Sequence, residues 1–325
     1  MPLTGRWALG GWAALLLCAP ACSGTTVTLG TIMPTPYHFD APVLVAELAS
    51  TFRADNPTLT ADLLEIYFTT NRVSNNGDVW FATRPSPDVP FGAPAAVPVI
   101  NGPDTFETSS AISADGLTLW FGSDRPGGVG SIDIWVSQRA SRTAEWSTPI
   151  DVLALNSPAD DIPRPPGQRG LVMPMASTKV VPENPNAVYQ TYLAARPNAG
   201  APFGAPQPIP LLDFTNSSTV DGFLTDDGLT LFYSSGPATP VADAGSDAAV
   251  DAAAATADGG VAKSDLYVAF RRSTTEASWE TQPLTDLNTA ADERDPWLTP
   301  DGKTLYFTSD RDGTLTIYTA HVRPR

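Results

Sequence analysis

Five aspartates in this chain of 325 residues could do chemistry if the fold brings them together. They are the adjacent pair Asp160-Asp161, then Asp221, then Asp292 and Asp295 on either side of Glu293-Arg294. Each precedes a β-rich unit, most clearly where Gly222-Phe223-Leu224 follows Asp221 and Pro296-Trp297-Leu298 follows Asp295. Carboxylates gathered around one axis could bind a cation or a basic side chain. Two of them about 5–10 Å apart across a sugar-sized pocket could instead hydrolyse a glycosidic bond. Asp161, Asp221 and Asp295 are the first suspects for such a pair. The same groups also suit turn caps, or ion pairs with Arg125 and Arg311. On sequence alone the structural and the ligand-binding readings both stand.

Other chemistries find little support. The chain holds two histidines, His38 and His321, one at each end, without a cysteine or histidine at ligand spacing. No Gly-x-Ser-x-Gly elbow, phosphate loop or dinucleotide fingerprint occurs. No cofactor, metal site or catalytic set is therefore expected.

The elements that must position these aspartates come from a repeated phrase. It reads SADGLTLWFGSDRPGG at Ser113–Gly128, TDDGLTLFYSSG at Thr225–Gly236 and TPDGKTLYFTSDRDG at Thr299–Gly313, with a worn copy, TADLLEIYFTTNR, at Thr60–Arg72. Such self-similarity marks one supersecondary unit stacked on copies of itself. Val, Ile, Tyr, Phe, Trp and Thr dominate the runs, and Gly, Asp, Asn and Pro bound them, which is strand-and-turn grammar. Asp-Gly between two such runs is a strong hairpin signal, because glycine accepts positive φ at little cost. The class is all-β.

Each unit continues with a second run, such as Asp133-Ile134-Trp135-Val136-Ser137, and ends in an aromatic-Pro-apolar segment, such as Trp146-Ser147-Thr148-Pro149-Ile150. A degenerate unit without the Asp-Gly turn fits between Asp115 and Asp227. Its strands are expected at Gly170–Met175 and Ala187–Leu193, and its closing segment at Phe203–Ile209. The last unit lacks its closing segment, and the missing piece appears at Phe39–Val45. These observations predict a β-propeller of five four-stranded blades, closed by an N-terminal strand that removes exposed sheet edges.

The phrase (Ser/Thr)-x-Asp-Gly-x-Thr-Leu-aromatic-Phe, followed by Ser-Asp-Arg, resembles the WD-repeat-like propeller repeats of the TolB type, familiar from bacterial envelope proteins. The resemblance covers the chain from about Phe39 onward and is strongest at Asp292–Tyr318 and Ser109–Arg139. It implies a propeller that serves as a binding platform. The sialidase-type Asp-box is a poorer match, since its Trp position holds Leu119, Leu231 and Leu305.

Residues 1–21 carry Arg6, an apolar run Trp7–Leu17 and the small-residue stretch Ala19-Pro20-Ala21, the grammar of a secretion signal. Cleavage after Ala21 would leave Cys22 first, followed by a polar tether to Pro36. That placement suggests a lipidated cysteine and a bacterial envelope protein held to a membrane by its lipid. Ordinary Ala-x-Ala cleavage, releasing a soluble protein, is the alternative. Both cysteines, Cys18 and Cys22, lie in this region, so residues 37–325 hold no internal disulfide.

The formal charge is −16 with no basic run, which disfavours nucleic acid and anionic lipid surfaces. Residues 237–263 are Ala/Asp-rich and poor in large apolar groups, and read as a disordered loop inserted in the fourth blade. The expected partner is an envelope protein, peptide or glycan met by a monomer across one propeller face. The alternatives are a glycoside hydrolase or related carbohydrate-active enzyme, and a passive surface lipoprotein.

Overall fold

The computed structural model describes residues 37–73, 77–179, 189–209, 217–237 and 263–323. The leader, Cys22, the tether and residues 238–262 of the Ala/Asp-rich stretch lie outside the described residues.

Five four-stranded antiparallel sheets form the blades of a propeller. The first is β2 (Ala54–Leu59), β3 (Glu65–Thr70), β4 (Asp78–Thr83) and β5 (Ala95–Ala96). The second is β6 (Glu107–Ile112), β7 (Thr118–Ser123), β8 (Asp133–Gln138) and β9 (Ile150–Asp151). The third is β10 (Asp161–Pro163), β11 (Val172–Ser177), β12 (Gln190–Ala195) and β13 (Gln207–Pro208). The fourth is β14 (Ser217–Leu224), β15 (Thr230–Pro237), β16 (Asp265–Phe270) and β17 (Glu280–Pro283). The fifth joins β18 (Glu293–Leu298), β19 (Thr304–Ser309) and β20 (Thr316–His321) to β1 (Val43–Leu44).

The ring closes as its split last unit requires. Val43 pairs with Thr319 and Leu44 with Tyr318, and Phe39 bridges to Val322. Closure sets His38 and His321 on neighbouring segments, but their imidazoles bond elsewhere, to Asp286 and to Thr304. In the degenerate third unit, β11 and β12 begin two to three residues later than expected, at Val172 and Gln190. A tight turn, Gly167–Gly170, with Gln168 and Arg169 in left-handed backbone, takes the room the Asp-Gly turn fills elsewhere.

The recurring turn phrase holds the first hairpin of a blade by side-chain chemistry. In the second blade, Ser113 Oγ donates to Asp115 Oδ1 at 2.6 Å, and Asp115 Oδ1 accepts the Leu117 N–H at 2.9 Å. Thr225 with Asp227 and Thr299 with Asp301 repeat the pattern. The following glycines take φ of 75°, 69° and 70° at Gly116, Gly228 and Gly302. In the worn first copy Leu63 stands in that place at φ 62°, a conformation disfavoured for a side chain. Leu63 is half-buried against the apolar cluster that the first and fifth blades share.

The Ser-Asp-Arg that follows is a second device. Glu107, buried at the start of β6, accepts from Ser123 Oγ at 3.0 Å and from Arg125 at 2.9 Å. Glu293 repeats this with Ser309 at 2.9 Å and Arg311 at 3.1 Å. A third device explains the aromatic in the closing segment. Arg84, Arg139, Arg196 and Arg271 end their strands by donating Nε to a carbonyl of the first hairpin turn. Their guanidinium groups lie 4.2–4.6 Å from the rings of Phe91, Trp146, Phe203 and Trp279, contacts worth ~0.5–2 kcal/mol each. Between blades the cores are apolar. Phe232, Leu266 and Leu298 with Phe307 join the fourth blade to the fifth, and Tyr67, Ile112 and Phe121 join the first to the second.

Candidate functional site

The innermost strands β2, β6, β14 and β18 share an irregularity that aims polar groups at the axis. Their pairing shifts register at Asp55/Thr58, Thr108/Ala111, Val220/Phe223 and Arg294/Trp297. Within each bulge one residue is left-handed: Asn56 (φ 53°), Ser109 (φ 50°), Asp221 (φ 63°) and Asp295 (φ 56°). Asn and Asp tolerate this backbone better than most residues. The four occupy equivalent places, six residues before the turn positions Asp62, Asp115, Asp227 and Asp301.

The third blade contributes something different. Its inner strand, β10, is short and runs out into Pro163-Arg164-Pro165-Pro166, and Arg164 is 1% exposed. The Arg164 guanidinium reaches the axis. Its Nη1 donates to Asn56 Oδ1 at 2.7 Å, and lies 3.5 Å from Asp295 Oδ1 and 3.9 Å from Asp221 Oδ1. Asp295 Oδ2 accepts from Thr308 Oγ1 at 2.8 Å and from the Asn56 N–H at 3.0 Å. Asp221 Oδ2 accepts from Ser234 Oγ. Ser109 Oγ donates to Asn56 Oδ1 at 3.4 Å. All five blades thus meet in one girdle, with a cation held among two carboxyl groups and an amide.

Burial, and then the Asp295 charge beside it, push the Asp221 carboxyl up to about 7, against the opposing pull of Arg164 and Ser234. Two carboxyl groups set against one guanidinium nitrogen in a buried site favour a proton on Asp221. Above the girdle is a cavity of about 80 Å³ lined by Asp55, Tyr189, Ser218 and Arg294 as well as the axial groups. Burial, helped by Asp160, Asp161 and Asp221, raises the Tyr189 hydroxyl far above its ordinary value.

The structure separates the five sequence candidates. Asp221 and Asp295 come together at the axis, inside their strands rather than before them, because each bulge lengthens the inner strand. Asp160, Asp161 and Asp292 hold the rim. Asp160 accepts the Ile132 N–H at 3.2 Å. Asp161 accepts the Ser157 N–H at 2.7 Å and its hydroxyl at 2.8 Å. Asp292 accepts the Ser264 N–H at 2.8 Å and pairs with Arg294. The partners of Arg125 and Arg311 are Glu107 and Glu293, not these aspartates. Sequence reasoning missed Arg164, Asn56 and Ser109. The shared six-residue offset points to the last two, whereas Arg164 lies in the one unit without an Asp-Gly turn to count from.

No protein family and no curated protein matches the chain. Among solved structures it is similar to the α-L-arabinofuranosidase from Lactobacillus brevis, with 11% identity over 86% of this chain and 94% of that one, and a TM-score of 0.52. It is also similar to a presumed TolB from Agrobacterium tumefaciens, with 11% identity over 84% of this chain and 78% of that one, at a TM-score of 0.46. At this identity the likeness is one of fold.

Proposed function

We propose that the chain is a non-catalytic binding platform of the bacterial envelope, engaging a protein, peptide or glycan across a propeller face. One observation carries this reading: the axial carboxyl groups are already consumed. A glycosidase needs two carboxyl groups about 5–10 Å apart with a sugar or water between them. Asp221 and Asp295 instead lie against one guanidinium nitrogen, at 3.9 and 3.5 Å, and accept from Ser234 and Thr308. The cavity above them is about 80 Å³, well below the ~300–1,000 Å³ of small-molecule sites.

The test is a hydrolysis screen of the wild-type protein on aryl glycosides and oligosaccharides, with Asp295→Asn beside it. The expected result is no turnover above background in either protein. Turnover by the wild type that falls about 10²–10⁴-fold in Asp295→Asn would replace this reading with the hydrolase.

The envelope location is part of the same proposal. Cys22, the first residue after the expected cleavage site, is the anchor point. Detergent-phase partitioning and incorporation of labelled fatty acid are expected for the wild type and lost in Cys22→Ser. A wild-type protein exported with an unmodified Cys22 would contradict it.

A further inference from the structure

The axis has a second opening, on the face formed by the first hairpin turns. It is a cavity of about 350 Å³, within the 300–1,000 Å³ of small-molecule sites, and every blade lines it. Leu59, Ile112, Pro165, Phe223 and Trp297 come from the first to fifth blades in turn. The Phe223 and Trp297 rings lie 5.9 Å apart at 60°, and Tyr37 closes one side, edge-on to Phe232 at 4.9 Å. Pro165 and Pro166 place this funnel immediately after Arg164, so the girdle separates it from the smaller cavity on the other face.

The rim is acidic, with Asp226, Asp227 and Asp301. Its acidity follows from the turn chemistry. Each turn aspartate spends Oδ1 on its own hairpin, which leaves Oδ2 directed away from those bonds. The chain shows twice what such an oxygen takes. Asp62 Oδ2 accepts from Arg142 at 2.6 Å, and Asp301 Oδ2 lies 3.4 Å from Lys303 Nζ. At Asp227, Oδ1 accepts from Thr225 at 2.6 Å and from the Leu229 N–H at 2.9 Å. Among the described residues no cationic group reaches its Oδ2. Asp227 is exposed and lines this aromatic funnel, where a third cation would find a carboxylate and aromatic rings together.

We propose that this funnel binds a small organic ammonium ion. The charged nitrogen sits at Asp227, with Asp226 beside it, and the apolar or aromatic body enters the cavity against Phe223, Trp297 and Leu59. The site is independent of the axial girdle, since none of the girdle side chains lines it. A protein of net charge −16 adds a long-range field of the matching sign.

The probes are phenethylammonium and its neutral counterpart 2-phenylethanol, titrated by calorimetry into the full chain at low salt. Saturable binding of phenethylammonium is expected, at least tenfold tighter than the alcohol, and at least fivefold weaker in Asp227→Asn. The amide oxygen of that variant still accepts from Thr225 and Leu229, so the turn should hold. If its melting temperature falls, Asp226→Asn supplies the same readout. Its amide can still accept the Arg169 N–H, which reaches Asp226 Oδ1 at 3.0 Å. Asp115→Asn, the same turn in the second blade, should leave the affinity unchanged. Equal affinity for ammonium and alcohol, absence of saturable ammonium binding, or undiminished binding in a folded Asp227→Asn protein would overturn the proposal.

Discussion

Asp221 is buried beside a second carboxylate, and the backbone at its position is left-handed, yet Ser234 and Arg164 hold its side chain. Burial and the neighbouring Asp295 charge favour the protonated Asp221 carboxyl, while Asp295 accepts from Thr308 and Asn56. Arg164 brings a positive charge against both carboxyl groups of this oxygen-rich site. The sign of the pH dependence follows. The folded carboxyl titrates near 7, above its ordinary 3.8, so the folded state binds the proton more tightly than the unfolded chain. That contribution favours folding below about pH 4, and it is lost progressively as pH rises towards 7. Asp221→Asn resembles the protonated form and removes the slope. Urea unfolding at pH 5 and pH 7.5 should show wild type losing stability, relative to Asp221→Asn, across that interval. A constant difference between the two proteins would mean that Asp221 ionises as an ordinary aspartate.

At the scale of the element, the hairpin turns were the most legible part of the sequence because their chemistry is local. Ser or Thr, then Asp, then Gly specify the bonds and the positive φ without help from distant residues. The inner strands were less legible. A bulge inserts an extra residue, breaks the alternation, and moves Asp221 and Asp295 from the approach into the strand. The turns also offer a graded test. A Cβ at Gly302 would meet nothing within 4 Å, whereas one at Gly116 would sit 3.0 Å from Thr60 Cγ2 and 3.1 Å from Arg142 Nε. Gly302→Ala should therefore cost about 1–2 kcal/mol, the left-handed backbone alone. Gly116→Ala should cost more, because the neighbouring blade must also give way. Equal losses in denaturant unfolding would show that Thr60 and Arg142 move aside freely.

At the scale of the molecule, the repeat and the displaced closing segment were enough to read a closed five-bladed ring, since only Phe39–Val45 could complete the last unit. The axis was half legible. Asp221 and Asp295 belong to units marked by the turn phrase, but their partner Arg164 comes from the degenerate blade, and no local pattern links residues so far apart in sequence. What the ring adds is convergence. The third blade's arginine meets the fifth blade's aspartate, the fourth blade's aspartate and the first blade's asparagine within 3.9 Å of a single nitrogen. A catalytic pair would leave its carboxyl groups open to substrate, whereas a girdle ties them to the arginine. A double-mutant cycle with Arg164→Met, Asp295→Asn and the combined variant measures that tie directly. At pH 7.5 each single change should cost stability, and the double should cost less than the sum by roughly 2 kcal/mol, as expected for groups in one buried network. Costs that add to within about 0.5 kcal/mol would contradict the girdle and return Asp295 to the list of free carboxylates.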